Sequence, residues 1–392
     1  MTTPRLRRTG DSHVGYVELF FDLVYVFAVI QLSHQLAHHL DLVGAAQTLI
    51  LWFAMWLGWQ YTGWVTNWFD PNTAAVRWLI FALTAGALVM AASIPQAFAD
   101  RGLIFAGVYV AFQVGRTVFA LWSLGRGHAL SANFTRMLAW LLVSAVFWIA
   151  GGLAEDTTVR IALWAAAVGI EYLCPMFGFA FPFLGRSQTR EWTIDGAHLA
   201  ERCQLFVIVA FGETILTTGA GLSQREQWEI PVLIAALVAF LGIIAAWWVY
   251  FGTSSADGSR VIAASDDPGR IGAMFHYVHV ILIAGIIVMA ASNGLILEHP
   301  AGEMTPALTA AVVGGPVLYL LASAIYRHVV YARAPASHVA GLVALAVLAG
   351  LAFLTDLLMV GGLAVLVMTC VAVWDTLVTR AARRAEAATA AA

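Results

Sequence analysis

The run His198–Thr217, HLAERCQLFVIVAFGETILT, is apolar enough to enter a bilayer, yet it carries His198, Glu201, Arg202 and Glu213. With 100° per residue from Glu201, His198 falls at about 60°, Arg202 at about 100°, and Asp195 and Glu213 at about 120°. Those four groups share one stripe of a helix. An ionisable side chain in hydrocarbon costs several kcal/mol unless it is paired or hydrated, so the stripe must face a bundle interior or a watered cavity. Glu213 lies roughly 16 Å along the axis from Arg202, which puts it deep if Arg202 sits at a membrane edge. Proton or cation binding is the chemistry such an acid offers.

The segment Glu18-Leu-Phe-Phe-Asp22 opens a second apolar run. Measured from the outer ends of the two helices, Asp22 and Arg202 lie at similar depth, about 25 and about 27 Å. An Asp22–Arg202 or Glu18–Arg202 ion pair is therefore expected, serving as a fixed salt bridge or as a gate. Arg116 and Glu171 also match in depth, at about 21 and about 20 Å, and a buried pair between them would make each tolerable. Pro175 removes the N–H that would bond the carbonyl of residue 171, so the sixth span, read as 158–183, should kink or break there. His276 and His279, at i, i+3, are proton-relay or ligand candidates. His34 and His38, at i, i+4, could reach one metal ion, but no carboxylate or cysteine follows at ligand spacing.

The elements that must position these groups follow from composition. Of 392 residues, 61% are hydrophobic and 11% charged, and mean hydropathy is +0.82. Soluble domains run nearer 25% charged, so the chain reads as an all-α polytopic membrane protein in contact with a lipid bilayer. All 20 basic residues are arginine. At about 20 apolar residues per span, twelve helices are expected near 16–39, 43–66, 75–95, 102–124, 134–152, 158–183, 198–220, 229–251, 271–293, 306–327, 337–354 and 357–378. Arg5, Arg7, Arg8, Arg77, Arg126, Arg136, Arg186, Arg190, Arg260, Arg270, Arg327, Arg333 and the C-terminal Arg380, Arg383 and Arg384 fall on one side. That asymmetry predicts both termini in the cytoplasm. VMAAS occurs at 89–93 and again at 288–292. Aromatic-rich segments close on Asp70 and Asp257, and Glu18 and Glu201 open spans one and seven. These ordered matches predict two parallel six-helix repeats, 1–190 and 191–392.

Two stretches, Glu18-Leu-Phe-Phe-Asp-Leu-Val-Tyr-Val-Phe-Ala-Val29 and His198-Leu-Ala-Glu-Arg-Cys-Gln-Leu-Phe-Val-Ile-Val-Ala-Phe-Gly-Glu213, resemble signature segments of the bacterial low temperature requirement protein A family. The likeness extends over nearly the whole chain. It implies a polytopic inner-membrane protein and carries no molecular activity with it.

Three functions fit these residues. A secondary transporter or ion-coupled carrier of an unidentified small molecule or ion draws on the two halves and on titratable groups in spans 1, 6, 7 and 9. A membrane-embedded enzyme, metal-dependent in one version, would use His198, Glu201, His276 or His279. A non-catalytic envelope protein would use its buried acids for stability alone. No phosphate-binding loop, dinucleotide fingerprint, zincin motif or nucleophile elbow stands in the sequence. The sequence requires no cofactor and offers no nucleic-acid-binding domain.

Overall fold

The computed structural model describes residues 6–7, 13–125, 127–252, 265, 267–331 and 335–391. Arg5, Arg8, Arg126, Arg260, Arg333 and Asp257 lie outside the described residues. Twelve helices are long and apolar enough to cross a membrane, and no β-strand occurs among the described residues. In chain order they are α1 (Tyr16–His38), α2 (Leu42–Trp68), α3 (Ala74–Ser93), α4 (Gly102–Leu124), α5 (Ala129–Leu153) and α6 (Thr157–Met176). There follow α7 (Gly196–Ser223), α8 (Ile230–Phe251), α9 (Pro268–Glu298), α10 (Pro306–Tyr331), α11 (Ala336–Leu351) and α12 (Leu357–Ala391).

Local chemistry sets the ends of these helices. Asp41 accepts the Gly44 N–H at 2.7 Å and starts α2. Asp156 accepts the Val159 N–H at 2.9 Å and starts α6. Asp356 accepts the Met359 N–H at 2.8 Å and starts α12. Each acid satisfies one of the amides that an α-helix leaves unbonded in its first turn. Gly125, at φ +70°, closes α4 in a conformation that suits glycine.

The sixth span is shorter than its apolar run. It ends at Met176, and the chain from 177 to 195 is irregular apart from one turn of 3₁₀ helix at Thr189–Glu191. Pro175 cannot donate to the ladder, and Phe179 N–H instead folds back to the Cys174 carbonyl at 2.8 Å. Gly178, at φ +63°, approaches Ser187 so closely that a Cβ would lie 2.2 Å from its carbonyl oxygen. The returning segment is tied by Arg136, which donates to Ser187 Oγ at 3.1 Å and to the Leu184 carbonyl at 2.9 Å. Of the kink or break expected here, the structure shows the break, at Met176.

The helices pack as two compact units. The first holds residues 1–35, 41–209 and 259–276, and the second holds 36–40, 210–258 and 277–392. The division falls within α1, α7 and α9. In the first unit α2 packs against α3, α4 and α6, α4 lies on α3 and α5, and α5 on α6. Every residue of α2 from Ala54 onward is buried, with Trp52, Trp56 and Trp59 among the largest enclosed side chains. In the second unit α12 packs on α8, α10 and α11. There Gly285 and Gly315 permit close approach of α9 and α10, since a Cβ on Gly285 would lie 2.8 Å from Tyr319 N. Ser93 and Ser292, the last residues of the two VMAAS segments, both donate back to a valine carbonyl, at 2.7 and 2.8 Å.

Arg160 gathers the loose ends of the first unit. Its guanidinium donates to the carbonyls of Gly151, Ala97, Ala99 and Ala154 at 3.1, 3.2, 2.7 and 2.7 Å. These carbonyls come from the ends of α5 and the turn after α3, where helical donors run out. Replacing Arg160 by leucine should lower stability by about 2–3 kcal/mol, because four carbonyls, of which those of Gly151 and Ala97 are buried, lose a charged donor. Thermal unfolding of the purified protein in detergent checks this, and an unchanged midpoint would refute it.

Candidate functional site

The charged residues of α1 and α7 meet in the first unit, where the N-terminal ends of both helices lie beside the C-terminal end of α2. Arg202 Nη2 donates to Asp22 Oδ1 at 2.9 Å, and Arg202 Nη1 lies 3.7 Å from Glu18 Oε1. Trp59 Nε1 donates to the same Asp22 oxygen at 2.7 Å. The guanidinium stands 5.4 Å from the Trp59 ring centroid, within cation–π range. Exposure is 1% for Glu18, 0% for Asp22 and His198, and 2% for Arg202. The charges have no solvent to stabilise them, so they must stabilise each other.

His198 joins the centre through a defined tautomer. Asn67 is clamped to the backbone of Asp195, with Oδ1 accepting its N–H at 2.8 Å and Nδ2 donating to its carbonyl at 2.9 Å. That clamp turns Nδ2 toward His198 Nδ1 at 3.1 Å, making Nδ1 an acceptor. The ring proton then sits on Nε2, which donates to Glu18 Oε1 at 2.9 Å. A second proton on Nδ1 would face an amide donor, so the geometry favours neutral histidine.

Glu201 lies apart from this ion pair and accepts the Val14 N–H at 3.2 Å. Asp195 caps α7, accepting from Ala197 N at 2.9 Å and His198 N at 3.1 Å. Arg7 donates to Glu18 Oε2 at 3.2 Å, and Gly15 N–H reaches the same oxygen at 2.9 Å. The cluster thus holds two carboxylates, two guanidiniums and one neutral imidazole. Three polar atoms of the Asp22–Arg202 pair are left over. Asp22 Oδ2, Arg202 Nε and Arg202 Nη1 are buried with no hydrogen-bond partner among the described residues.

A second centre forms between α4, α5 and α6. Glu171 accepts from Ser144 Oγ at 2.6 Å, from Trp148 Nε1 at 3.0 Å and from the Tyr109 hydroxyl. Arg116 is not its direct partner, contrary to the expectation from depth. Arg116 donates to the Gly58 carbonyl at 3.1 Å, to Thr62 Oγ1 at 3.2 Å and to Gln113 Oε1. Gln113 Nε2 donates in turn to the Tyr109 hydroxyl at 2.8 Å. Opposite charges are therefore joined by two neutral side chains whose donors all point from Arg116 toward Glu171. Each link polarises the next in such a chain. Three neutral donors already hold the carboxylate.

The remaining candidates separate. Glu213, fully buried in the second unit, accepts from Thr217 Oγ1 at 2.9 Å and Thr214 Oγ1 at 3.3 Å. His276 Nδ1 lies 3.3 Å from Trp64 Nε1 and 3.0 Å from the Gly272 carbonyl. His279 Nε2 lies 2.7 Å from the Tyr250 hydroxyl. The two histidines share α9 but belong to different units. Among the described residues no group of three or more His, Cys, Asp or Glu side chains could hold a metal ion.

Some contributors escaped the reading of the sequence. Tyr109 and Gln113 stand seven and three residues before the marked Arg116 on α4, a spacing that was there to be seen. In the second unit Arg327 Nη2 bonds Asp375 Oδ2 at 2.8 Å. Asp375 also accepts from Ser337, while His338 Nε2 lies 2.9 Å from Ser323 Oγ. Asp375 was marked by being the lone acid in an apolar run of the last span. Asn67, Trp59 and Arg7 carried no such mark, because an amide, an indole and a tail arginine have many ordinary roles.

The Asp22–Arg202 pair makes a direct prediction. Asp22→Leu or Arg202→Met alone should cost about 3–5 kcal/mol by stranding a buried charge, whereas the double variant should recover most of that loss. A double-mutant cycle on thermal stability measures it, and strictly additive losses would contradict the pairing.

Comparison with known proteins places the chain among relatives. The family model described as the bacterial low temperature requirement A protein matches residues 13–373. An uncharacterized protein of Rhizobium meliloti is 36% identical over 386 residues, covering 98% of this chain and 94% of that protein. No solved structure matches.

Proposed function

We propose that the chain, which belongs to the bacterial low temperature requirement A protein family, is an ion-coupled secondary carrier of a small molecule or ion. Family membership and twelve apolar helices make it an integral membrane protein. The observation that carries the further step is the spare capacity of its buried ion pair. A salt bridge kept only to hold helices together is best served by a two-pronged contact that uses both carboxylate oxygens and the guanidinium fork. Here Arg202 holds Asp22 through one nitrogen and one oxygen, while Asp22 Oδ2 and Arg202 Nε and Nη1 remain unpartnered. Buried atoms of that kind call for water or an ion.

In this reading a proton or cation arriving at Asp22 Oδ2 weakens the hold on Arg202. The guanidinium then shifts toward Glu18, whose Oε1 is already 3.7 Å from Nη1. Because Asp22 and Glu18 lie on α1 and Arg202 on α7, the shift changes how these two helices hold each other. Glu213 is a second responsive acid. Glu171, saturated by neutral donors, acts as fixed structure. The two parallel six-helix repeats, the inner-membrane location and the cytoplasmic termini belong to the same proposal. No residue is assigned a catalytic role.

Reconstitution into liposomes holding a pH-sensitive dye tests the reading. An imposed gradient of sodium, potassium or guanidinium should drive a lumenal pH change or cation flux above that of protein-free vesicles. Asp22→Asn should reduce it by about tenfold or more. Equal flux in wild type and Asp22→Asn would remove the central claim.

A further inference from the structure

We propose that Arg7 is a tethered counter-cation seated in a small-cation site on Glu18, and that this site takes a free guanidinium-class monocation when Arg7 is withdrawn. The proposal deepens the carrier reading and rests on it only for the exchangeability of the site in the working protein.

Arg7 is brought to Glu18 by its backbone. Leu6 forms an antiparallel bridge with Phe69, and Arg7 N–H donates to the Trp68 carbonyl at 2.9 Å. This fixes the residue at the end of α2, where its side chain is 6% exposed. Its attachment is nevertheless slight. Nη2 alone makes bonds, to Glu18 Oε2 at 3.2 Å and to the His13 carbonyl at 3.1 Å. Nε and Nη1 are buried without a hydrogen-bond partner among the described residues. A cation that keeps its freedom to leave is held in this way, in contrast to the four-carbonyl grip on Arg160.

Charge makes the site demand an occupant. With His198 neutral, Glu18 and Asp22 are balanced by Arg202 and Arg7. Withdrawing Arg7 leaves a buried net negative charge, which is strongly unfavourable unless another cation replaces it. The donor set selects the class of that cation. Among the described residues Nη2 bonds two oxygens, Glu18 Oε2 and the His13 carbonyl, fewer than calcium or magnesium take, at about six or more. A small planar cation with N–H donors matches both acceptors as Arg7 itself does.

Chemical rescue tests this on the purified full chain in detergent. Arg7→Ala should lower the unfolding midpoint by on the order of 5 °C. Methylguanidinium in the low millimolar range should restore most of that shift saturably, and choline at equal ionic strength should not. The wild type should not respond, and adding Glu18→Gln to Arg7→Ala should abolish the rescue. If Arg7→Ala does not fold, Arg7→Gln carries the same test with a side chain that retains N–H donors. Absence of rescue, or an equal response in the wild type, overturns the proposal. Rescue without flux in liposomes would sink the carrier reading and leave this site standing, whereas flux without rescue would do the reverse.

Discussion

Every polar group inside this protein has to be answered by another polar group, because an apolar helix bundle supplies no solvent to do so. The arginines show how that constraint is met. Arg160 closes four carbonyls at helix ends, Arg136 ties the returning chain after α6, and Arg116 takes the Gly58 carbonyl together with two side chains. In each case the guanidinium acts as a many-pronged donor that ties several acceptors together. Arg202 differs from these. It answers carboxylates, and part of its donor set remains unused.

Charge balance explains how the two centres of the first unit can exist at all. The Glu18–Asp22–Arg202 cluster pairs its charges within a few ångströms. The Glu171–Arg116 centre spreads them through Gln113 and Tyr109. Direct pairing leaves an interaction that a proton or cation can disturb, since one oxygen of Asp22 stays open. Separation through neutral side chains does the opposite, because three neutral donors hold Glu171 and a change at one end must reorganise the whole chain of bonds. The first arrangement suits response and the second suits rigidity.

The geometry of the Glu18–Asp22–Arg202 centre depends on uncharged neighbours. Asn67, held by the Asp195 backbone, selects the His198 tautomer, and Trp59 fixes one oxygen of Asp22. Both lie on α2, whose buried length from Ala54 onward makes it the fixed reference of the unit. A charged pair placed against such a helix can change partners without losing its position. The irregular segment from 177 to 195 contributes as well, since it delivers Thr193 to Trp68 at 2.5 Å and Asp195 to Asn67.

The sequence by itself determined the class, the number of spans and the boundaries of the first four and the eighth to within about two residues. Hydrophobic run length and capping acids such as Asp41, Asp156 and Asp356 are local properties that need no partner. It also marked Asp22, Glu18, Arg202 and His198, because an ionisable residue in an apolar run is conspicuous whatever it touches. Only the tertiary structure decided which of these groups meet. Depth along a helix axis was legible and correctly set Asp22 level with Arg202. Direction around the axis and the order of helices in the bundle were not, so depth alone also suggested an Arg116–Glu171 contact that Gln113 and Tyr109 replace. The end of α6 was decided in the same way. Pro175 weakens a helix from within, but whether the chain kinks or stops depends on what receives the returning segment, and Ser187 and Arg136 come from elsewhere in the chain.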